Sequence, residues 1–241
     1  KVTANKKYDV VINCAAYTDV ELSEAKPGKA KSGNAIIAKN LAKAAKINNF
    51  FLVHFSTDYV FDGKGRTPFK EEDITVPQNI YGITKLLGEK YIYKSKANAC
   101  IIRTSWLYSI HGHNFVKTML KLGKEKESIN VVNDQIGCPT SAHDLAKHLL
   151  DILPKIFIKK GLNIYHYCNK GFTTWFDFAK NIMETANLNC NINPVSSFEF
   201  RTIAKRPVFS VLDTSKIVKE FGITIPQWQD SLKNCINLLQ K

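Results

Sequence analysis

The sequence predicts an α/β fold: a doubly wound parallel sheet covered by helices on both faces, with a smaller lobe beside it. Three observations carry this expectation. Short apolar runs rich in β-branched residues alternate with segments of helical periodicity, the pattern of repeated βαβ units. The runs are apolar almost throughout, as strands of a sheet buried on both faces require. Hydroxyl-bearing and aromatic residues follow directly after those runs, where open parallel sheets bind their ligands.

The elements follow in chain order. Asp9–Cys14 (DVVINC) reads as a buried strand, and Ala35–Ile47 as a helix with apolar residues at Ile36, Ile37, Leu41, Ala44 and Ala45. Phe50–Phe55 (FFLVHF) is a second buried strand. A loop marked by Asp62-Gly63, Gly65 and Pro68 then leads to a helix over Tyr81–Tyr93. Ala99–Thr104 is a third strand, Asn114–Glu125 a helix, Ile129–Val132 a short strand, His143–Leu153 a helix and Asn163–Tyr167 a strand. Helices over Thr174–Ala186 and Trp228–Leu239 close the chain. The expected division places the sheet domain in residues 1–107 and 143–170, and the smaller lobe in 108–142 and 171–241. The segments after the strands single out Ala15-Ala16-Tyr17-Thr18, Ser56-Thr57-Asp58-Tyr59 and Ser105-Trp106.

Composition narrows the function classes. Hydrophobic residues make up 44% and charged residues 23% of 241, an ordinary globular balance. No apolar run reaches the roughly 18 residues of a membrane helix, and the basic start KVTANKK is followed by no signal-peptide core. A cytoplasmic protein without membrane contact is expected. The six cysteines are scattered without a CxxC pair, against a zinc module or disulfide scaffold; they are expected as thiols, with Cys14 and Cys100 buried. The net charge of +13 comes from lysines spread along the chain. That distribution reads as a solvated surface rather than a nucleic-acid stripe, and it also suits an anionic substrate.

The chemistry centres on Tyr81-Gly82-Ile83-Thr84-Lys85. Tyrosine and lysine at i and i+4 share one helical face, and an ammonium beside a phenol lowers the phenol's pKa. Such a tyrosine exchanges a proton with a carbonyl undergoing hydride transfer. Alone the motif is weak, since about one YxxxK is expected by chance here; a half-buried tyrosine on an amphipathic helix is the plain alternative. Ser56-Thr57 strengthens it, placing hydroxyls at a strand end ahead of the helix, the order used by short-chain dehydrogenases. His111-Gly112-His113 lacks companions with ligand spacing and reads as a polar turn. Asp134 and Asp144 read as loop and cap residues.

The stretches DVVINCAAYTDVE, HFSTDYVFDGKG, PQNIYGITKLLGEK, IIRTSWLY, NFVKTM, VVNDQIGCPTSAHDLA and RPVFSVLDTSKI, nearly the whole chain, resemble the dTDP-4-dehydrorhamnose reductase family of extended short-chain dehydrogenases. The resemblance implies a Rossmann-type sheet, NADPH or NADH as cofactor and a nucleotide-sugar substrate reduced at C4. It implies Thr57, Tyr81 and Lys85 as the catalytic set. It matches Ala15, Ala16, Thr18 and Ser56, with Tyr81 and Lys85, to cofactor binding, and Trp106, Asn114, Gln135 and Arg206 to the substrate side. Core packing is the other reading of Trp106, and a surface cation that of Arg206. Some members of the family use magnesium, for which no ligand set can be read here; a homodimer is compatible with the resemblance. Thr57-Asp58-Tyr59 differs from the Thr-Asp-Glu of nucleotide-sugar dehydratases and favours simple reduction. A non-catalytic subunit resembling the regulatory subunit of methionine adenosyltransferase and a nucleotide-sugar epimerase are the rival readings.

One departure bears on activity. Eight residues precede the first strand, and no GxGxxG or GxxGxxG occurs, whereas one βαβ unit takes roughly 30 residues. The expectation is a Rossmann-type domain lacking its glycine-rich N-terminal segment, with a bare sheet edge and weak NAD(P)H binding; a short paralogue is the alternative.

Overall fold

The structure, a computed structural model, describes residues 7–240; the basic start and Lys241 lie outside the described residues. The elements run β1 (Val10–Asn13), α1 (Val20–Ala25), α2 (Pro27–Lys31), a π turn (Ser32–Ile36), α3 (Ile37–Asn48), β2 (Phe51–Thr57) and a 3-10 turn (Asp58–Val60). Next come α4 (Ile80–Ser95), β3 (Ala99–Thr104), β4 (Leu107–Tyr108), α5 (Phe115–Glu125), β5 (Ser128–Val132), β6 (Ile136–Gly137), β7 (Thr140–Ser141), α6 (Ala142–Phe157) and β8 (Leu162–His166). β9 (Thr173–Thr174), α7 (Trp175–Ala186), β10 (Asn191–Val195), α8 (Ser215–Phe221) and α9 (Trp228–Leu239) complete the chain.

Among the described residues the main sheet has four parallel strands in the order β1-β2-β3-β8. Successive residues of a strand point to opposite faces, so each strand feeds two cores. Leu52, Ala99 and Ile101 face α3 and α4, where Ala38, Ala42, Ala45 and Ile92 pack. Phe51, Val53, Cys100 and Ile102 face α6, where Leu145, Leu149, Ile152 and Ile156 pack. Ile217 and Phe221 of α8, with Ile225, join that second core.

The third core builds the lobe: Phe178, Ala179, Ile182 and Met183 of α7 meet Val116 and Met119 of α5 and Trp228, Leu232 and Ile236 of α9. Ile129 and Val131 of β5 close it, and β5 pairs in parallel with β10. A small cluster of Val60, Phe61, Leu86, Cys138, Cys168, Val211 and Leu212 joins sheet and lobe. There the segment 207–213 is threaded through the molecule: Phe209 N donates to Gly63 O, Phe69 N to Val211 O, Asp213 N to Phe69 O, and Ser210 N to Ile136 O.

Several expectations change. Cys14 is exposed, not buried, because it follows β1, the edge strand whose Ile12 is 36% exposed. The helical region before β2 starts at Val20 rather than Ala35, interrupted at Lys26. α6 continues past Pro154 to Phe157; the proline forfeits only the bond to the carbonyl of Leu150, an exposed residue. Asp144 is not the cap of α6: Ser141 caps the helix, and Asp144 accepts from Ser231 Oγ (2.5 Å) and Asn169 Nδ2 (2.9 Å), tying α6 to α9. Asp134 lies in a loop, accepting from Ser197 N at 2.8 Å.

Candidate functional site

The carboxyl end of β2 gathers the candidate catalytic residues. Thr57 is its last residue; the hydroxyl donates to Asp58 Oδ1 at 3.0 Å and accepts from Tyr59 N at 3.2 Å. Asn79 caps α4, its Oδ1 accepting from Gly82 N at 2.8 Å. Capping at this point places Tyr81 in the first turn, beside Thr57 and edge-on to Tyr59 with ring centroids 5.8 Å apart. The approach is close enough that a Cβ on Gly82 would lie 2.2 Å from Tyr59 O, which is why glycine stands there. One turn on, Lys85 is buried and donates to Phe55 O at 2.5 Å.

The electrostatics differ from expectation at Tyr81. Burial pushes its phenol above the ordinary value, and the neighbouring Thr57 hydroxyl only opposes that rise. Lys85 itself is brought down to about 8 by burial, with Glu89 working in the opposite direction. Burial raises Asp58 to about 6. Behind Lys85, Glu89 accepts from Arg103 Nε (3.0 Å) and Nη2 (2.8 Å) in a buried bidentate pair.

The other candidates fall into two groups. Ala15, Ala16 and Thr18 are exposed in the loop after β1, where Ala15 N donates to Asn13 Oδ1 at 3.1 Å. Buried Asn34, in the π turn, holds this loop to α4. It accepts from Tyr17 N (2.8 Å) and donates to Tyr17 O (3.1 Å) and Thr84 Oγ (3.0 Å). Ser56 Oγ is buried without a hydrogen-bond partner among the described residues.

On the lobe side, Trp106 adopts a left-handed backbone (φ +44°) and stacks on Trp175, centroids 3.5 Å apart and planes 7° apart. A Cβ on Gly137 would lie 2.4 Å from the Trp106 ring. Gln135 is buried and donates to Ser197 Oγ at 2.8 Å. Asn114 caps α5, accepting from Lys117 N and donating to Ser109 O at 2.7 Å, so its amide shapes the 109–111 loop. Arg206 bonds Glu21 Oε1 at 2.9 Å and lies beside the Tyr59 phenol.

Sequence reasoning missed Asn34, Glu21, Glu89 and Trp175. Glu89 sits four residues after Lys85 on the same helical face, a spacing that was available to be read. The others are set by tertiary packing.

The donor set suits the hydride-exchanging end of a nicotinamide cofactor: an unpartnered buried hydroxyl (Ser56) and a buried ammonium with one protein partner (Lys85), next to an exposed loop. Among the described residues no group of three or more His, Cys, Asp or Glu side chains is placed to hold a metal ion, and no helix is long and apolar enough to cross a membrane.

The sequence matches the family described as RmlD substrate binding domain over residues 1–241. The curated dTDP-4-dehydrorhamnose reductase of Shigella flexneri is 42% identical over 240 residues, covering 96% of this chain and 80% of that protein. A crystal structure of a dTDP-4-dehydrorhamnose reductase from Clostridium acetobutylicum superposes with a TM-score of 0.93 at 42% identity, covering 98% of this chain and 82% of that one. The Bacillus anthracis reductase, solved in complex with NADP, gives 0.91 at 39% identity, covering 96% and 81%. Family match, sequence identity and fold agree in one assignment: this chain belongs to the dTDP-4-dehydrorhamnose reductase family.

Proposed function

We propose that this protein reduces the C4 keto group of dTDP-4-dehydro-6-deoxy-L-mannose to give dTDP-L-rhamnose, a cytoplasmic step in supplying sugar for polysaccharide. The reading rests on the convergence of Thr57, Tyr81 and Lys85 at the end of β2. Its family membership and the NADP complex of the Bacillus anthracis relative support it.

Residues 1–107 and 143–170 form the cofactor part, and residues 108–142 and 171–241 the substrate part, with α8 packed onto the sheet. Ala15, Ala16, Thr18, Ser56, Tyr81 and Lys85 would hold NADPH or NADH, which when bound supplies hydride to C4. Tyr81 retains its proton at neutral pH because burial disfavours the phenolate, so it is an acid ready to protonate the C4 oxygen as the carbonyl is reduced. Thr57, whose one hydroxyl proton rests on Asp58 in the free site, would turn that proton to the same oxygen and orient it. Below about pH 8 Lys85 is cationic, and the phenolate left on Tyr81 forms one helical turn away from that charge. Trp106 and Gln135 would shape the sugar side, Asn114 the loop beside it, and Arg206 would face the diphosphate, where a guanidinium fork is apt.

The test is loss of absorbance at 340 nm when the protein meets NADPH and dTDP-4-dehydro-6-deoxy-L-mannose. Turnover lost by about 10²–10⁴-fold in Tyr81→Phe is expected. A protein that binds dTDP and NADPH yet oxidises none overturns the assignment.

A further inference from the structure

Arg206 is one end of a wider attachment. Glu21, in α1, spends its whole carboxylate on the segment 203–206. Oε1 accepts from Arg206 Nη2 at 2.9 Å, while Oε2 accepts from Ile203 N at 2.9 Å and Ala204 N at 3.3 Å. The side chains of Arg206 and Glu21 are 26% and 33% exposed, so the bond lies at the wall of the site and not in the core. The methyl group of Ala204 is fully buried. On the other side, Asn79 Nδ2 donates to Lys205 O at 2.8 Å while its Oδ1 caps the catalytic helix. Glu24, one turn after Glu21, accepts from Ile80 N at 2.8 Å. One short helix thus holds both the start of the catalytic helix and the segment that carries Arg206.

We infer that Glu21 is a positioning residue for nucleotide-sugar recognition: it latches residues 203–206 onto α1 and sets the Arg206 guanidinium against Tyr59, facing the substrate's diphosphate. The inference rests on the proposed reduction for its substrate. α1 directly follows the loop Ala15–Asp19, so the latch also joins the cofactor side of the site to the substrate side. A guanidinium held by one carboxylate in this way keeps free N–H donors for a second anion. Glu21 makes no contact with Thr57, Tyr81 or Lys85 among its hydrogen bonds, so its loss bears on binding rather than on proton transfer.

Glu21→Gln keeps the size but places an amide N–H₂ in the latch. Two measurements decide the matter. The first is steady-state kinetics, with Glu21→Asp as the charge-keeping comparison. KM for the nucleotide sugar is expected to rise about tenfold in Glu21→Gln with kcat within about twofold, and part of that rise is recovered in Glu21→Asp. The second needs no turnover: limited trypsin digestion, which cuts after exposed Arg201 and Lys205, with and without dTDP. Cleavage there is expected to run several-fold faster in Glu21→Gln, and dTDP protection to need about tenfold more nucleotide. Wild-type cleavage rates, or an unchanged KM, overturn the inference. So does a fall in kcat matched by a general loss of thermal stability, which would mark a merely structural residue. If the wild-type protein reduces nothing, the proposed reaction fails, while digestion and dTDP protection still decide the latch.

Discussion

Replacing Glu89 by glutamine isolates the buried pair behind Lys85. Among the described residues Arg103 donates three hydrogen bonds: two to Glu89 at 3.0 and 2.8 Å, and one to Glu71 O at 3.2 Å. Its guanidinium also lies over the Phe61 ring at 5.2 Å. The two paired side chains are only 4% and 5% exposed, so water cannot replace the lost carboxylate. Removing one partner of such a pair costs about 3–5 kcal/mol, because a desolvated charge is left without its counter-ion. Glutamine still accepts one of the two bonds, which puts the expected loss near the lower figure, about 3 kcal/mol. For a chain of this size that corresponds to a fall in Tm of about 6–12 °C. The double variant Glu89→Leu with Arg103→Leu removes both charges and should recover most of the loss, as replacing a whole buried pair by apolar groups often does. Urea unfolding of wild type, both single variants and the double variant closes the cycle. A Glu89→Gln loss below about 1 kcal/mol, or a double variant worse than either single, would show that the pair is solvated in a way its burial denies. The same substitution removes the charge that raises the Lys85 pKa, so the alkaline fall in kcat should move to lower pH.

Three further outcomes are expected. His54 and His166 are buried and held down to about 3, chiefly by desolvation, so between pH 6.5 and 3 the unfolded chain binds protons that the folded chain refuses. The stability this gives is complete above pH 6.5 and drains as pH falls. About 3 kcal/mol from the two together should be gone by pH 5, partly offset by Asp58, whose raised pKa acts with opposite sign; urea midpoints that stay level over that range would contradict it. Gly137→Ala drives a Cβ to within 2.4 Å of the Trp106 ring and should unstack it from Trp175. That costs about 1–3 kcal/mol, alters tryptophan fluorescence and raises KM, whereas unchanged fluorescence would mean the ring yields in place. Asp58, raised to about 6 by burial, competes more strongly for the single Thr57 hydroxyl proton once it is ionised, so kcat/KM should fall as pH rises through 6. Asp58→Asn should erase that inflection, and its persistence would assign it to another group.

The parts of this molecule that were legible in sequence are those written locally. The strands feeding both cores read as apolar runs, and the order of β2, Thr57 and the YxxxK helix survives translation into space because α4 is the crossover from β2 to β3. β10 escaped notice because Asn191–Val195 is mostly exposed and carries Pro194, so neither alternation nor propensity marks it. α8, at seven residues, is too short for periodicity to declare itself. The expectation for the tyrosine failed on desolvation. The i, i+4 spacing correctly places Lys85 on the face of Tyr81, but spacing carries no information on burial, and burial decides the direction. Arg206 and Glu21 lie 185 residues apart, and nothing in either neighbourhood announces the other.

The threading of residues 207–213 between Gly63, Phe69 and Ile136 has a temporal consequence. During synthesis the chain emerges from its amino end, and β1, β2, β3 and α4 are all outside the ribosome long before Arg206 is made. The sheet and the residues Thr57, Tyr81 and Lys85 can therefore assemble before the segment 207–213 is in place. That segment arrives with pairings that span more than 70 residues to Ile136 and more than 140 to Gly63 and Phe69, the kind of non-local contact that forms slowly. The pairings that fasten residues 207–213 to the sheet side are thus among the last this chain can make as it is born.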